Sequence, residues 1–283
     1  MQKKAITQFK TKGFVTIPEV FTPFELEYYR ELLEEAINIR KQNDSRPLRE
    51  KSLYEQSFIQ CQNLWEDFEA LRTLTFNQKI GELAANLLSV NSLRIWHDQA
   101  LVKEAGARET DIHHDQPYWP IKEPKTITAW IPLCDINSSN GQLGFFPGSH
   151  KVKKEHFVDI FSGDIEEEGL FRLPQLEGKE PEYQNLKVGD ISFHHGLTFH
   201  KAKANLSNSN RLVYTIIFFA DGCSRGSEQF HFSVDRSDIK VGEKIDSDVT
   251  PISYPIDRLP DTPKKPINES FKFLKDLGVI PQR

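Results

Sequence analysis

The sequence holds few cysteines and no long apolar run, and it shows no excess of basic charge. Its three cysteines, Cys61, Cys134 and Cys223, are an odd number without CxxC spacing, so the sequence indicates neither a disulfide framework nor a zinc knuckle. The most apolar run, "VYTIIFFA" at 213–220, is too short to cross a bilayer. Thirty-six Lys and Arg against forty-one Asp and Glu give a formal charge of −5, which argues against a nucleic-acid partner.

The basic start of the chain, "MQKKAITQFK", is followed by no apolar segment of the kind that a secretory signal requires. We therefore expect a cytoplasmic protein that is not inserted in a membrane. The sequence also lacks internal repeats and low-complexity tracts. Its 283 residues can form one large domain, and we predict a single domain over 1–283.

The first part of this domain, about 1–91, is predicted to be a helical support. After a short strand at "GFVTIPEV", Thr22, Pro23 and Glu25 form the pattern of a capping box with proline at the first helical position. The charged stretch from Lys41 to Glu55 has no sustained periodicity and is interpreted as a loop over a pocket. A second helical region is predicted across "NLWEDFEALRTLTFNQKIGELAANLLSV".

The middle of the chain, about 92–235, changes to short β-type runs. "SLRIWHDQALVKE", "TITAWIPL", "GQLGFFPGS", "DISFHHG" and "RLVYTIIFFA" are separated by Gly, Pro, Asn and Asp. Many short strands with such breaks favour a sandwich or a barrel. The remaining tail, about 236–283, is predicted to wrap the surface, with at most one short helix near "NESFKFLKDLG".

One short stretch, "TDIHHDQPYWP" at 110–120, has the residues of a metal site. On a strand, side chains alternate between faces, so His113 and Asp115 would point one way and His114 the other. A third ligand that is another histidine would give a facial triad of two histidines and one carboxylate, the arrangement of non-haem Fe(II) oxygenases. Spacing alone does not choose that histidine. The possible donors are His97, His150, His156, His194, His195, His200 and His231.

The context of His200 favours it over the other histidines. It follows a β-type run and precedes a turn built from Asn and Ser, after which Arg211 opens the most β-prone run of the chain. An arginine at the start of a neighbouring strand can reach into the same cavity and hold a carboxylate with two hydrogen bonds.

Three ordered segments carry a resemblance: "IHHDQPYWP", "TAWIPLCDINSSNGQLGFFPGSHK" and "GDISFHHGLTFHKAKANLSNSNR". Together they resemble the phytanoyl-CoA dioxygenase family of Fe(II)- and 2-oxoglutarate-dependent oxygenases. The resemblance implies a mainly β fold with helical additions: a double-stranded β-helix (jelly roll, cupin-like) core with N-terminal helices. It also implies Fe(II) as the metal, 2-oxoglutarate as cosubstrate and O2 as oxidant.

The same resemblance implies roles for individual residues. His113, Asp115 and His200 would be the catalytic metal ligands, and Arg211 would bind the far carboxylate of 2-oxoglutarate. Lys103 and Trp130 would lie beside the cosubstrate, although an exposed lysine and a core tryptophan are the alternatives.

Other polar and aromatic residues around these motifs have open assignments. Gln99 is expected to face the cavity. Tyr118 and Trp119 either shape a substrate pocket or pack on a surface loop. A structural role is expected for His150, and a structural or supporting one for His194 and His195, whose facing is not predictable next to Gly196.

The expected function is hydroxylation of an aliphatic C–H of a small molecule, with release of succinate and CO2. Asp115 favours this over halogenation, because related halogenases lack the carboxylate. Two alternatives remain at this point: a non-catalytic jelly-roll binding protein, and a Zn or Mn cupin-like hydrolase or isomerase. The substrate, the oligomeric state, and the choice between hydroxylation, desaturation and cyclisation are not readable from the sequence.

Overall fold

The computed structural model describes residues 2–151, 157–158, 173–174 and 176–282. His156, one of the histidines considered above, lies outside this set, as does most of the 151–187 loop before residue 176. Within the described residues, two antiparallel sheets form a curled half-barrel, and the N-terminal helices pack against one face of the larger sheet. No helix in these ranges is long and apolar enough to cross a membrane.

The helices are concentrated before residue 90. The capping box predicted at the start of the second helix is present: Thr22 Oγ1 accepts from the Glu25 backbone N–H, and the Glu25 carboxylate accepts from the Thr22 N–H. Asn77 caps the fifth helix in a similar way. The described helices are α1 (Gln2–Lys12), α2 (Pro23–Lys41), α3 (Leu64–Asp67), α4 (Arg72–Thr75), α5 (Gln78–Leu88), α6 (Phe232–Asp235) and α7 (Lys272–Asp276).

The strands are distributed along the whole chain. They are β1 (Phe14–Ile17), β2 (Ile59–Gln62), β3 (Leu93–Lys103), β4 (Thr110–His113), β5 (Thr126–Pro132), β6 (Leu143–Phe145), β7 (Glu182–Tyr183), β8 (Ile191–His195), β9 (His200–Ala202), β10 (Arg211–Ala220) and β11 (Ile252–Tyr254). The larger sheet has the order β1-β8-β5-β10-β3-β11, with β2 also paired to β3, and the smaller sheet has the order β4-β9-β6-β7.

Successive core strands change sheets, which is the arrangement of a double-stranded β-helix. From β3 to β10 the chain visits the larger sheet at β3, β5, β8 and β10, and the smaller sheet at β4, β6, β7 and β9. The fold predicted from the sequence is therefore confirmed. Because the sheets cover each other, residues that are distant in sequence face one another across the space between them.

Strand β10 shows how the sequence sets the two faces of the larger sheet. Tyr214, Ile216 and Phe218 belong to the core shared with the N-terminal helices. Val213, which precedes them and faces the other side of the sheet, packs instead with residues of both sheets, such as Phe145 of β6. This period-two pattern follows from the alternation of side chains along a strand.

Two predictions about the ends of the chain need correction. The N-terminal region is not only helical after β1, since Ile59–Gln62 forms β2 against β3. The tail does more than wrap the surface, since Ile252–Tyr254 pairs with the other end of β3. Both strands are short, and their partner lies far away in sequence, so no local pattern indicates them. The expected short helix near the end is present as a 3-10 turn at Glu269–Phe271 followed by α7.

Candidate active site

Two histidines and an aspartate converge between the sheets. His113 ends β4 and His200 begins β9, and these two residues are register partners in the smaller sheet. One ligand atom from each of His113, Asp115 and His200 lies within 4.8 Å of the other two. Asp115 does not reach this position by strand alternation, because β4 ends at His113 and Asp115 has helical dihedral angles (φ −75°, ψ −36°) at the start of a 3-10 turn.

Both histidines of this group present the same ring nitrogen to it. His113 Nδ1 lies 2.7 Å from the Asp111 carbonyl oxygen, and His200 Nδ1 lies 2.9 Å from the Thr198 carbonyl oxygen. A carbonyl only accepts hydrogen bonds, so each Nδ1 carries the proton and each Nε2 keeps a free lone pair. Proteins fix the tautomer of a metal-binding histidine by such a hydrogen bond from the ring nitrogen that does not bind the metal.

The two carboxylate oxygens of Asp115 have different neighbours. Oδ1 lies 3.8 Å from His113 Nε2 and 3.7 Å from His200 Nε2. Oδ2 lies 3.1 Å from His194 Nε2 and accepts a hydrogen bond from Thr128 Oγ1 at 3.3 Å. The first oxygen is thus available to an ion between the histidines, while the second is held by the larger sheet.

The electrostatics of the group suit a cation. Burial lowers the pKa of His113, and it lowers the pKa of His200 well below the usual value. Burial alone would raise the pKa of Asp115, but the contacts with His200, His194 and His113 outweigh it and hold that pKa below the usual range. Near pH 7 the group therefore offers two neutral imidazoles and one carboxylate, the protonation states that metal binding requires.

A close contact between loops fixes Asp115 relative to β8. The Gln116 backbone N–H donates to the Gly196 carbonyl, and the Gly196 N–H donates to the Thr126 carbonyl. A Cβ atom on Gly196 would collide with the Thr126 hydroxyl, which itself donates to Gln116 Oε1 at 2.5 Å. Glycine is therefore required at the residue where β8 turns towards His200.

Arg211 is buried in the same cavity with an incomplete set of partners. Its Nη1 donates to the Gly141 carbonyl at 3.0 Å, whereas its Nε pairs with no described residue. The guanidinium lies 5.4 Å from the centre of the Trp130 ring, which lines the cavity. Burial lowers the pKa of Arg211 to about 10, and no carboxylate of the described residues is paired with it. A buried cation without an anion is a site for a carboxylate ligand.

Lys103 lies directly opposite Arg211 in the pairing of β3 with β10. Its side chain is fully buried, and its Nζ donates to the carbonyls of Ser57 at 2.8 Å and Arg108 at 2.5 Å. Burial, together with Arg211 and Arg108, lowers the pKa of Lys103 to about 7. Lys103 is not among the described residues that line the cavity, and its ammonium group instead joins the backbone at Ser57 to that at Arg108.

The cavity that joins these residues has a volume of about 410 Å³. Such a volume falls within the range of roughly 300–1,000 Å³ that ligand pockets show. Gln99, Tyr118 and Trp119 all line it, and so does Tyr54 from the predicted loop between Lys41 and Glu55.

His114, His150, His194 and His195 lie in three different places. His114 points away from the metal group and stacks on Phe199, with ring centroids 4.2 Å apart. His150 and His195 lie near each other, with ring centroids 5.6 Å apart, and His195 faces Phe9 of α1. His194, the neighbour of His195 on the other face of β8, contacts Asp115 as described above.

Several residues of the site were not identified from the sequence. Thr128 and Thr215 lie on β5 and β10, where they read only as β-branched strand residues, and Gln60 belongs to the unpredicted β2. His97 and His231 were considered as metal donors, yet both line the cavity away from the metal group. The period-two alternation along β3 and β10 would have indicated His97 and Thr215, given the facing of Gln99 and Arg211.

Sequence comparison assigns this arrangement to a family. A family profile described as phytanoyl-CoA dioxygenase matches residues 9–213 of the chain. The chain belongs to the phytanoyl-CoA dioxygenase family. Members of the family depend on Fe(II), 2-oxoglutarate and O2, and the chain is accordingly a member of the 2-oxoglutarate-dependent oxygenases.

Two similar proteins show how far the likeness extends. A "Probable alpha-ketoglutarate-dependent hypophosphite dioxygenase" of Stutzerimonas stutzeri is 24% identical over 221 residues, which are 75% of this chain and 77% of that protein. A "Phytanoyl-CoA dioxygenase domain-containing protein 1 homolog" of Caenorhabditis elegans is 26% identical over 167 residues, which are 55% of this chain and 56% of that protein.

Solved structures show the same fold at low sequence identity. The non-heme alpha ketoglutarate dependent carbocyclase SnoK from nogalamycin biosynthesis matches with a TM-score of 0.73 at 23% identity, covering 89% of this chain and 96% of SnoK. EctD from S. alaskensis, solved with 2-oxoglutarate and 5-hydroxyectoine, matches with a TM-score of 0.58 at 16% identity, covering 77% and 75%.

The residues present fit the cofactors of the family. Two neutral imidazole nitrogens and one carboxylate oxygen are the donor set of a facial triad, which leaves ligand positions open. The unpaired Nε of Arg211 offers a place for the carboxylate of 2-oxoglutarate. His113, Asp115 and His200 could thus bind a metal ion.

Proposed function

We propose that the protein hydroxylates an aliphatic C–H of a small molecule, using O2 and 2-oxoglutarate and releasing succinate and CO2. When bound, Fe(II) and 2-oxoglutarate supply the oxidising chemistry: one oxygen atom enters the substrate and the other enters succinate. The observation that carries this proposal is the group of His113, Asp115 and His200 beside a buried arginine without an anion.

Each residue has a role in this proposal. His113, Asp115 and His200 hold the metal, and the presence of Asp115 favours hydroxylation over halogen transfer. Arg211 holds the far carboxylate of 2-oxoglutarate by charge-assisted hydrogen bonds. Trp130 forms the wall beside that arginine. Lys103 supports the strand opposite Arg211 through its bonds to the carbonyls of Ser57 and Arg108, without a direct contact with the cosubstrate.

The chain's own residues also exclude water and orient the reactants. The metal group is largely shielded from solvent, since His113 is 9% and His200 is 5% exposed and the side chain of Asp115 is 17% exposed. Tyr118 lies over His113, with ring centroids 6.2 Å apart, and Phe157 packs against Tyr118. These rings limit the approach of the substrate to one side of the group, which places one C–H for reaction.

The comparisons support oxygenase chemistry without fixing the reaction. Similar proteins carry names for hypophosphite oxidation, ring formation and, in SnoN from nogalamycin biosynthesis, epimerisation. The donor set of this chain argues against halogenation but does not separate hydroxylation from ring formation or epimerisation, so product analysis must test the choice of hydroxylation.

The first experiment is anaerobic addition of Fe(II) and then 2-oxoglutarate to the purified protein. We expect a visible metal-to-ligand charge-transfer band in the parent. It should be absent in His200→Ala, and in Arg211→Ala it should require a much higher concentration of 2-oxoglutarate. Circular dichroism of each variant controls for folding. A folded, iron-loaded parent without the band would reject the proposal, and a metal-dependent activity with Zn(II) or Mn(II) alone would favour a hydrolase or isomerase.

A further inference from the structure

Among the residues that the structure describes, the cavity has no ionised side chain left over for a substrate. Asp115, Arg211 and Lys201 are the only Asp, Glu, Lys or Arg side chains among the described residues that line it. In the proposed function Asp115 binds the metal and Arg211 binds the cosubstrate. Lys201 faces Glu109, with Nζ 3.7 Å from a carboxylate oxygen. A charged group entering this space would lose its hydration without gaining a counter-ion, which is strongly unfavourable.

The two histidines on the far side of the cavity are also uncharged. Burial lowers the pKa of His97 to about 4 and lowers the pKa of His231 well below its usual value. His231 stacks on Trp96 with ring centroids 4.4 Å apart, and its Nδ1 accepts from the Ser233 N–H. Both imidazoles are therefore neutral hydrogen-bonding groups near pH 7.

A chain of side-chain amides leaves a hydrogen-bond donor facing the cavity. Tyr54 Oη donates to Gln60 Oε1 at 3.3 Å, and Gln60 Nε2 donates to Gln99 Oε1. Both amide oxygens are thus occupied. The amide nitrogen of Gln99 is the last donor of this hydrogen-bonded series, and its N–H groups require an acceptor.

Two further polar atoms lie next to Gln99 without a partner. His97 Nδ1 and Thr215 Oγ1 are buried and pair with no described residue. In the pairing of β10 with β3, Thr215 is opposite Gln99 and Ile217 is opposite His97, so these groups occupy adjacent positions in the sheet. Buried polar atoms are nearly always hydrogen-bonded, which marks this patch as a place for a ligand's polar group.

The polar patch lies across the larger sheet from the metal group. His194 pairs with Thr128, Thr128 with Ile217, and Ile217 with His97, which places His97 three strands away from His194. With strands about 4.8 Å apart, that separation is roughly 14 Å. This is the separation of the backbones along the sheet, and the side chains of His97 and His194 both extend into the cavity, so the gap that a substrate spans is shorter.

Building on the proposed function, we propose that the group of the substrate that enters this cavity is uncharged and carries an acceptor oxygen. A hydroxyl, ether or carbonyl oxygen bonds to Gln99, with His97 and Thr215 beside it, while an apolar C–H face of the same molecule points to the metal group. Carboxylates, phosphates and ammonium groups find no counter-ion among the described side chains of this space and should bind there more weakly. Gln99 is thus a specificity-determining residue for uncharged, oxygen-bearing compounds.

The test is ligand binding to protein loaded with Zn(II), a diamagnetic substitute for Fe(II), and saturated with 2-oxoglutarate so that Arg211 is occupied. The probes are cyclohexanone, trans-1,4-cyclohexanediol, cyclohexanecarboxylate and cyclohexylammonium, followed by saturation-transfer NMR. We expect the two uncharged probes to bind at millimolar concentrations and the two charged probes to bind at least fivefold more weakly.

Variants of Gln99 separate recognition from general packing. Gln99→Leu should weaken binding of the uncharged probes at least fivefold. Gln99→Glu keeps the shape of the side chain and should shift the preference towards cyclohexylammonium. Gln42→Leu, at an exposed position outside the cavity, is the matched control and should bind the probes like the parent.

The outcomes distinguish this inference from the proposed function. Equal or tighter binding of a charged probe, no binding of the uncharged probes, or unchanged binding in Gln99→Leu would overturn the substrate class. The charge-transfer band of the Fe(II)-loaded protein reports the oxygenase function independently. A parent that shows the band but prefers a charged probe would therefore reject only the substrate class.

Discussion

His194 holds the carboxylate oxygen of Asp115 that faces away from the two metal-group histidines. Its Nε2 lies 3.1 Å from Asp115 Oδ2, and because a carboxylate only accepts, His194 must carry its proton on Nε2. Thr128 Oγ1 donates to the same oxygen. These contacts leave Oδ1 for a metal, so we expect Asp115 to bind through one oxygen and keep further positions open for cosubstrate and O2.

Replacing His194 should therefore weaken metal binding without removing a ligand. We expect His194→Leu to raise the Fe(II) dissociation constant by about 10- to 100-fold, the usual effect of losing such a supporting contact. His194→Gln can still donate from Nε2 and should recover most of the affinity. Anaerobic titration with Fe(II) gives the constants, and the position of the charge-transfer band shows whether Asp115 has changed its binding mode.

His195 provides a control on the same strand. It points to α1 instead of the metal group, so His195→Gln should leave the Fe(II) dissociation constant within about twofold of the parent. Equal effects of substitution at positions 194 and 195, or no recovery in His194→Gln, would contradict a specific role for the His194 contact.

The affinity for 2-oxoglutarate should depend on the shape of the side chain at position 211 as well as on its charge. Charge-assisted hydrogen bonds contribute roughly 1.5–3 kcal/mol, so we expect Arg211→Ala to weaken 2-oxoglutarate binding by about 10- to 100-fold. Arg211→Lys keeps the charge but not the planar fork, and should fall between parent and alanine. Titration of the charge-transfer band measures all three. Parent-like affinity in Arg211→Ala would place the cosubstrate elsewhere.

Metal binding should stabilise the folded protein. A ligand at 100 times its dissociation constant adds about 2.7 kcal/mol if it binds only the folded state. For a chain of this size we expect Tm to rise roughly 5–10 °C on anaerobic addition of Fe(II) and to return on addition of a chelator. His200→Ala should show little of this rise. A shift of the same size in that variant would indicate a metal site other than the proposed triad.

Lys103 should make the free energy of unfolding depend on pH in the alkaline range. Its pKa is about 7 in the folded protein and 10.5 as an unperturbed side chain. Between these values the unfolded chain binds a proton that the folded chain does not, so the free energy of unfolding rises with pH across this window. We expect a gain of about 1 kcal/mol or more between pH 7.5 and 9.5, relative to Lys103→Met, from urea unfolding. A constant difference would show that the bonds to the carbonyls of Ser57 and Arg108 keep Lys103 protonated.

Substitutions of Gly196 and Thr126 should have non-additive effects on the free energy of unfolding. Because a Cβ at 196 would collide with the Thr126 hydroxyl, we expect Gly196→Ala to cost roughly 1–3 kcal/mol of unfolding free energy. Thr126→Ala removes the obstacle and also the hydrogen bond to Gln116. The double variant should therefore lose less than the sum of the two single variants, which a double-mutant cycle of urea unfolding measures. Simple additivity would mean that the backbone relaxes without this contact.

Local patterns predicted those parts of the fold whose physical causes are local. The capping box at Thr22 and Glu25 depends on residues three apart, and it is present as predicted. The main β-type runs became strands because alternating apolar residues bury one face wherever a sheet forms. Strands β2 and β11 escaped prediction, because "IQCQ" and "ISY" have little pattern of their own and are strands only through their pairing with β3.

The site shows the same division. The sequence contained the donors of a facial triad, and the resemblance indicated His200 among nine histidines. It did not reveal the facing of His194, because the turn at Gly196 interrupts the strand pattern on which facing depends. Strand alternation was also the wrong reason for placing Asp115 beside His113. The strand ends at His113, and Asp115 reaches the metal group at the start of a 3-10 turn.

The sequence by itself determined the chemical inventory: two histidines and an aspartate in ordered motifs, an arginine at the head of a buried strand, and apolar periodicity sufficient for two sheets. Only the tertiary structure decided which groups meet. His194 reaches Asp115, Gln60 reaches Gln99, and Arg211 is buried without an anion because strands from distant parts of the chain pair in one register. Register is set by the packing of whole sheets, so contacts of this kind do not appear in any local stretch of sequence.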